Sequence, residues 1–226
     1  MTPKPRIICF DLGGVVVRIC RSWAEACSRA RLPERDPERF TEPRLVAARH
    51  ELVDRYQCGR LGCDQFFSGL AGATGGLYTP EEVKRVHDHW IIEEYPGVAE
   101  LIHALNRSGS ATTACLSNTN HAHWIGMLGH PGAPGMPSPA VQALQIHGVS
   151  HKMGASKPGE AIYRQAQELF AAAPADILFF DDLTENVSSA RALGWRAELI
   201  DHTGDTAAQV RAHLSAHGIQ LSTQPC

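Results

Sequence analysis

Residues capable of chemistry concentrate at the ends of short apolar runs in this chain. RIICF (6–10) is followed by Asp11, Leu12, Gly13 and Gly14, and ATTACLS (111–117) ends in Ser117, with Asn118 and Thr119 behind it. The loop after IHGVS (146–150) carries Lys157, and DILFF (176–180) is followed by Asp181 and Asp182. Carboxylate oxygens delivered from two separate segments suit Mg²⁺, a hard cation usually held by one or two carboxylates with water and substrate phosphate. Backbone amides beside Ser117 and Asn118, together with the Lys157 ammonium, suit a phosphoryl group. Taken singly, each feature has a plainer reading. Asp-Leu-Gly-Gly is a turn former, an aspartate pair caps a helix, and an isolated lysine belongs on the surface. The catalytic reading requires all of them to meet at one edge.

Such a meeting needs a particular scaffold. The apolar runs, with RAELI (196–200) as a fifth, are mostly separated by helical patterns. Pro96 and Gly97 open VAELIHALNRSG, with Gly109 near its end, and Pro158 and Gly159 open EAIYRQAQELFAAA before Pro174. Buried strands alternating with helices predict an α/β fold with a parallel sheet, in which ligands bind beyond the carboxyl ends of the strands. Between about 17 and 93 the pattern changes: no strand-like run appears, and apolar residues recur at helical spacing, as in Val83, Val86, His87 and Trp90. This predicts a helical insertion (17–93) in a core made of residues 1–16 and 94–226. Ten of the seventeen arginines fall between Arg18 and Arg60, against seven acidic residues, a pattern expected of solvated helix faces. The proline- and glycine-rich stretch 129–139 reads as a loop.

Composition narrows the class. With 43% hydrophobic and 20% charged residues the chain is an ordinary globular protein, neither disordered nor fibrous. A net charge of −3 gives no global drive toward nucleic acid or an anionic membrane. The first apolar run stops at Asp11 and no run reaches the ~18 residues of a membrane span, so a cytoplasmic protein is expected. Seven cysteines without CxxC spacing are expected to be reduced thiols. The signals of serine hydrolases, dinucleotide sites and P-loops are missing.

Four loop strings, FDLGGVVV, CLSNTN, SKP and FFDD, occur in the order that resembles the haloacid dehalogenase (HAD) superfamily. Their key positions lie 106, 40 and 24 residues apart, so the resemblance spans nearly the whole chain. Within the superfamily, LSNTN, GASKPGEAIY and FFDDLTENV are most similar to the branch of glucose-1-phosphate phosphatases and the phosphatase domain of soluble epoxide hydrolases. The resemblance implies a Rossmann-like core with an α-helical cap at 17–93. It also implies a Mg²⁺-dependent phosphatase, acting on a small phosphomonoester such as a sugar phosphate through an aspartyl-phosphate. Asp11 would be the nucleophile, and Mg²⁺ would be held by Asp11, the Gly13 carbonyl and Asp182, with Asp181 ordering a bound water. Ser117 and Asn118 would hold phosphoryl oxygens, Lys157 would neutralise both the phosphoryl group and Asp11, and Asn186 would give support from behind.

Two positions depart from the pattern. Most HAD phosphatases carry a second aspartate where this chain has Gly13, so the usual general acid is missing, although glycine also occurs there in the glucose-1-phosphate phosphatase branch. An aspartate at this position would add a Cβ where the loop is expected to use glycine's φ freedom. In the cap, Gln57, Cys58 and Gly59 replace a common Glu-Arg-Gly string, so substrate choice does not carry over. His121 and His123 could bring an imidazole near the site, but neither they nor His87 and His89 are spaced as a helical metal pair. Cys9 is expected to point away from Asp11, and Trp90 and Trp195 to pack. Two rivals remain. A 2-haloacid dehalogenase would use Asp11 on carbon and would typically lack the aspartate pair, whereas a non-catalytic phosphate-sensing protein is favoured only by Gly13. The expected partner is a small phosphorylated molecule, with neither nucleic acid nor membrane; nothing fixes an oligomeric state.

Overall fold

The computed structural model describes residues 3–221; Cys226 lies outside them. The strands are β1 (Ile7–Phe10), β2 (Val17–Ile19), β3 (Ile91–Glu94), β4 (Thr112–Ser117), β5 (Ile146–Val149), β6 (Ile177–Asp181) and β7 (Arg196–Leu199). In the first half of the chain the helices are α1 (Trp23–Arg29), α2 (Pro37–Phe40), α3 (Pro43–Gln57), α4 (Cys63–Gly72), α5 (Pro80–Asp88) and α6 (Val98–Ser108). The second half adds α7 (His121–Met127), α8 (Pro139–Ala143), α9 (Ser150–Met153), α10 (Glu160–Phe170), α11 (Thr184–Ala192) and α12 (Thr206–Ala216).

Five strands form one parallel sheet in the order β5-β4-β1-β6-β7. Both faces are covered, which is why the strands read as unbroken apolar runs. In β1, Ile8 and Phe10 pack in the layer that contains Leu101 and Ile102 of α6 and Val210 and Leu214 of α12. Ile7 and Cys9 pack in the opposite layer, with Ile162 and Tyr163 of α10 and Val187 of α11. Because all five strands run the same way, the residues after β1, β4 and β6 emerge at one edge of the sheet. The strand ends observed differ by a residue or so from those expected.

The chain between β1 and β4 is not purely helical. Contrary to the expectation of no strand between 17 and 93, β2 and β3 pair antiparallel, with Val17 opposite Glu94, Arg18 opposite Glu93 and Ile19 opposite Ile91 across a bulge. Strands of three and four residues are too short to show a period in sequence. Helices α1–α5 between them carry their own apolar cluster, including Cys27, Tyr56, Phe66, Leu70, Tyr78 and Val86. Helix α5 starts at a Thr79/Glu82 capping box with Pro80 behind it and stops at Asp88, so Trp90 falls past its end. Some arginines here are structural rather than merely solvated: Arg35 forks onto Glu82 at 2.6 and 2.7 Å, and Arg49 donates to the Ala73 and Phe40 carbonyls. Among the described residues six cysteines are free thiols, and no helix is long and apolar enough to cross a membrane.

Candidate active site

Lys157 is the centre of the charge arrangement at the sheet edge. Its ammonium lies 2.9 Å from Asp11 Oδ1 and 2.6 Å from Asp181 Oδ2, with all three side chains largely shut off from solvent. Burial acts to lower its pKa, but the flanking Asp11 and Asp181 carboxylates outweigh that and raise it, so Lys157 stays charged. Asn118 fixes its backbone: the side-chain amide donates to the Lys157 carbonyl and its oxygen accepts the Lys157 N–H, each at 2.8 Å. The Asn118 side chain, expected on a phosphoryl oxygen, is therefore engaged in holding Lys157. Its backbone N–H, without a partner among the described residues, is the group left for an anion. Ser117 Oγ likewise makes no hydrogen bond to the described residues.

Asp11 leaves β1 with its N–H bonded to the Phe180 carbonyl. Its Oδ1 accepts the Leu12 N–H at 2.7 Å as well as Lys157, while Oδ2 accepts nothing from the described residues. Burial pushes the Asp11 carboxyl up to about 7, against the pull of Lys157. Asp181 is saturated: Leu183 N–H and Asn186 Nδ2 reach Oδ1, and Lys157 and Asn186 reach Oδ2. Asn186 is itself held by the Tyr163 hydroxyl on its carbonyl. Asp182 has the opposite character. Its Oδ2 is sealed from solvent and takes no hydrogen bond, although Arg21 Nη2 stands 2.8 Å away as an ion-pair partner out of line for one. Burial raises the Asp182 pKa and Arg21 opposes the rise.

A divalent cation fits these residues. One oxygen from each of Asp11, Asp181 and Asp182 lies within 4.8 Å of the others, and the orphaned Asp182 Oδ2 and open Asp11 Oδ2 lack donors. The Gly13 carbonyl also stays out of the loop's hydrogen bonds, in which Gly14 N–H reaches Val17 O and the Val16 and Val17 N–H groups reach Leu12 O. Three carboxylates against Lys157 and a half-exposed Arg21 leave a deficit of positive charge that a hard, oxygen-seeking ion would fill.

The turn's positive φ belongs to Gly14 (86°), not to Gly13. The expectation that Gly13 is kept for φ freedom is thus corrected: a Cβ there would meet Ile19 Cδ1 at 3.1 Å. Cys9 is a second correction. It lies two residues before Asp11, in the second-last position of β1, so alternation sets both on one face, and its buried thiol feels the Lys157, Asp11 and Asp181 charges.

A cavity of about 400 Å³ lies between the sheet edge and helices α3–α5, with Gly13, Ser117 and Asn118 at its core end. His87 and His123, which sequence gave no reason to pair, stack across this boundary with ring centroids 3.8 Å apart. His123 Nε2 lies 2.9 Å from the His87 carbonyl, so it carries the hydrogen, and Nδ1 is left to accept from Asn120 Nδ2 at 3.1 Å. Burial drives its pKa down to about 3. His123 is therefore a neutral structural residue, and exposed His121 lies against His151 instead of in the cavity. Trp90 lines the cavity, while Trp195 packs on Tyr163 and Phe179. Two further residues escaped sequence reading. Arg21 was one arginine among many, and Ser150, fully buried, reaches both the Gln57 carbonyl at 2.7 Å and the Thr119 carbonyl at 3.0 Å.

A parallel α/β sheet with buried carboxylates and a lysine converging at its carboxyl edge is an arrangement suited to nucleophilic, metal-assisted hydrolysis. The profile of the haloacid dehalogenase-like hydrolases matches residues 5–194, and the chain belongs to that family. It is similar to the phosphatase MT3486 of Mycobacterium tuberculosis (strain CDC 1551 / Oshkosh), 38% identical over 72 residues. That match covers 32% of this chain and only 33% of the relative's length. A HAD-family enzyme of Bacteroides thetaiotaomicron, solved with magnesium and inorganic phosphate, shares the fold with a TM-score of 0.68 and 18% identity, over 92% of this chain and all of that one. The L-2-haloacid dehalogenase of Xanthobacter autotrophicus, solved with chloropropionic acid covalently bound, does so with a TM-score of 0.61 and 17% identity, over 92% and 82% of the chains.

Proposed function

We propose that this enzyme is a Mg²⁺-dependent phosphatase of small phosphomonoesters. The observation that carries the reading is the acidic cluster: one oxygen from each of Asp11, Asp181 and Asp182 lies within 4.8 Å of the others, and the buried Asp182 Oδ2 takes no hydrogen bond, its ion pair with Arg21 notwithstanding. A phosphate-bearing ligand and a divalent cation satisfy this site together, as the magnesium and phosphate of the Bacteroides enzyme and the name of the mycobacterial relative support. Asp11, the Gly13 carbonyl and Asp182 are the residues to hold Mg²⁺, with Asp181 supporting. Mg²⁺, when bound, supplies positive charge against the phosphoryl oxygens and the carboxylates.

The chain's own groups do the rest. Lys157 and the Leu12 N–H fix the Asp11 carboxylate through Oδ1, orienting it toward phosphorus. The Asp11 carboxylate attacks phosphorus, the ester P–O bond breaks, and the leaving alkoxide takes a proton from water, since Gly13 has no acidic side chain to supply one. Water then attacks the aspartyl-phosphate, breaking its P–O bond and returning Asp11. Lys157, Ser117 and the Asn118 N–H stand by the phosphoryl oxygens. Asp181, fully hydrogen-bonded, anchors Lys157 instead of reacting.

The test is a panel of phosphomonoesters and 2-haloacids, assayed with Mg²⁺ and with EDTA, on the wild-type chain and on Asp11→Asn. Phosphate release that needs Mg²⁺ and is lost by several orders of magnitude in Asp11→Asn is expected. Halide release without metal would make the enzyme a dehalogenase, and no turnover of any ester would remove the reading.

A further inference from the structure

The cavity next to Gly13 and Ser117 bears on what carries the phosphate, a question that rests on the phosphatase reading. Its core end is polar, but the cap side is not: Val53, Phe66 and Val86 come from α3, α4 and α5, and Trp23, Phe40 and Trp90 line it further. Apolar side chains outnumber polar ones on that side, and some of the polar groups are already engaged. Arg49 donates to the Ala73 and Phe40 carbonyls, the Tyr56 hydroxyl lies 3.2 Å from Cys63 Sγ, and both nitrogens of His123 are used. Gln57 and the exposed His50 remain, with the Trp23 indole N–H and the two ring nitrogens of His87, all three buried without a hydrogen-bond partner. The His87 Nδ1 lies 3.8 Å from Asp88 Oδ1.

A sugar phosphate would bring several hydroxyls against this wall and leave most of them unpaired, each an uncompensated desolvation. A volume of about 400 Å³ is ample for a ring. We propose that the substrate is the phosphate monoester of an apolar, ring-bearing alcohol, its ring in this cavity and at most one hydrogen-bonding group set against His87. Sugar phosphates are then poor substrates, in contrast to the class the sequence resemblance implies.

The experiment compares 2-phenylethyl phosphate and cyclohexylmethyl phosphate with glucose 6-phosphate and ribose 5-phosphate. All are esters of primary alcohols, and the sugar alcohols are the better leaving groups, so a preference for the apolar esters comes from binding. The expected kcat/KM ratio is at least ~100 in their favour, the discrimination an apolar site exerts against a single added hydroxyl. Val53→Asn, on the half-buried face of α3, should lower that ratio about tenfold or more, while Val53→Ile keeps it. Thermal melts show whether both variants are folded. A ratio near one, or a preference for the sugar esters, overturns the proposal, as does a ratio that Val53→Asn leaves unchanged in a folded protein.

A binding arm separates this from failure of the phosphatase reading. Trp23 and Trp90 face the cavity, so 2-phenylethanol should change tryptophan fluorescence saturably, and glucose should not. Saturable 2-phenylethanol binding, weakened in Val53→Asn, would uphold the apolar site even if no ester were cleaved. Its absence would refute the site even if esters were.

Discussion

Acid should loosen the junction between α5 and α7 by an amount that His123 sets. In the folded chain Nδ1 of His123 accepts from the Asn120 amide while Nε2 donates to the His87 carbonyl. A second proton on the ring would set N–H against N–H at Asn120 and place a charge 3.8 Å from the stacked His87 ring. The folded pKa of about 3 lies below the ordinary 6.5, so the unfolded chain binds the proton more readily. The stability that neutral His123 contributes is complete above pH 6.5 and is lost as the pH falls from there toward 3. At pH 5 the difference is about 1.5 pH units of linkage, or about 2 kcal/mol, an upper figure because the ring keeps some contact with the cavity. For a chain of this size that is roughly 4–8 °C in Tm. Denaturant unfolding at pH 7.5 and pH 5 measures the loss in wild type and in His123→Gln, which retains a side-chain donor but has no titration. The variant should lose about 2 kcal/mol less between the two pH values. Equal losses, within about 0.5 kcal/mol, would refute the assignment of acid sensitivity to His123.

Gly14→Ala should both destabilise and disable, since its φ is +86° and a Cβ there falls inside contact distance of the Asp182 carboxylate and 2.5 Å from Arg21 Nη2. A cost of at least about 2 kcal/mol in a melt and a weakened Mg²⁺ response are expected. Lys157→Met leaves Asp11 and Asp181 facing each other without their shared cation, and unfolding should be easier by about 3–5 kcal/mol. Arg21→Ala removes the ion-pair partner of Asp182, and with that competitor for Mg²⁺ gone the variant should need less metal for half-maximal activity; a higher requirement would make Arg21 a support of the site. Gly13→Asp should assist simple alkyl phosphates only when Ile19 yields, so Gly13→Asp with Ile19→Ala should exceed Gly13→Asp alone, approaching the ~10²-fold worth of general acid help.

The sheet and its reactive edge were legible because parallel strands buried on both faces leave unbroken apolar runs, and a polar residue closing each run marks the edge. Asp11, Lys157, Asp181 and Asp182 could be found that way. What each side chain does there was less legible. Asn118 has the composition of an anion ligand, yet its partner is a backbone 39 residues away. The β2 and β3 strands were hidden by their shortness, and their pairing spans 75 residues from Arg18 to Glu93. The stack of His87 on His123 and the Ser150 contact with Gln57 depend on how α3–α5 lie against the sheet edge, which no local pattern encodes. Arg21 was hidden among ten arginines of one stretch, and only the burial of Asp182 singles it out.

The central position of β1 also bears on how the chain is made. Its neighbours are β4, starting at Thr112, and β6, starting at Ile177, so the first of the five sheet strands to be made has no partner in the sheet until over a hundred further residues exist. At about 5–20 residues per second, Ile7–Phe10 waits roughly 5–20 s for its first neighbour and longer for its second. During that interval α1–α5, whose apolar cluster is largely assembled from nearby sequence, have the shorter search. The innermost strand of the sheet is thus the first of the five to be made and among the last to be covered. The segment that carries Asp11 is made before its neighbours in the sheet and docks late.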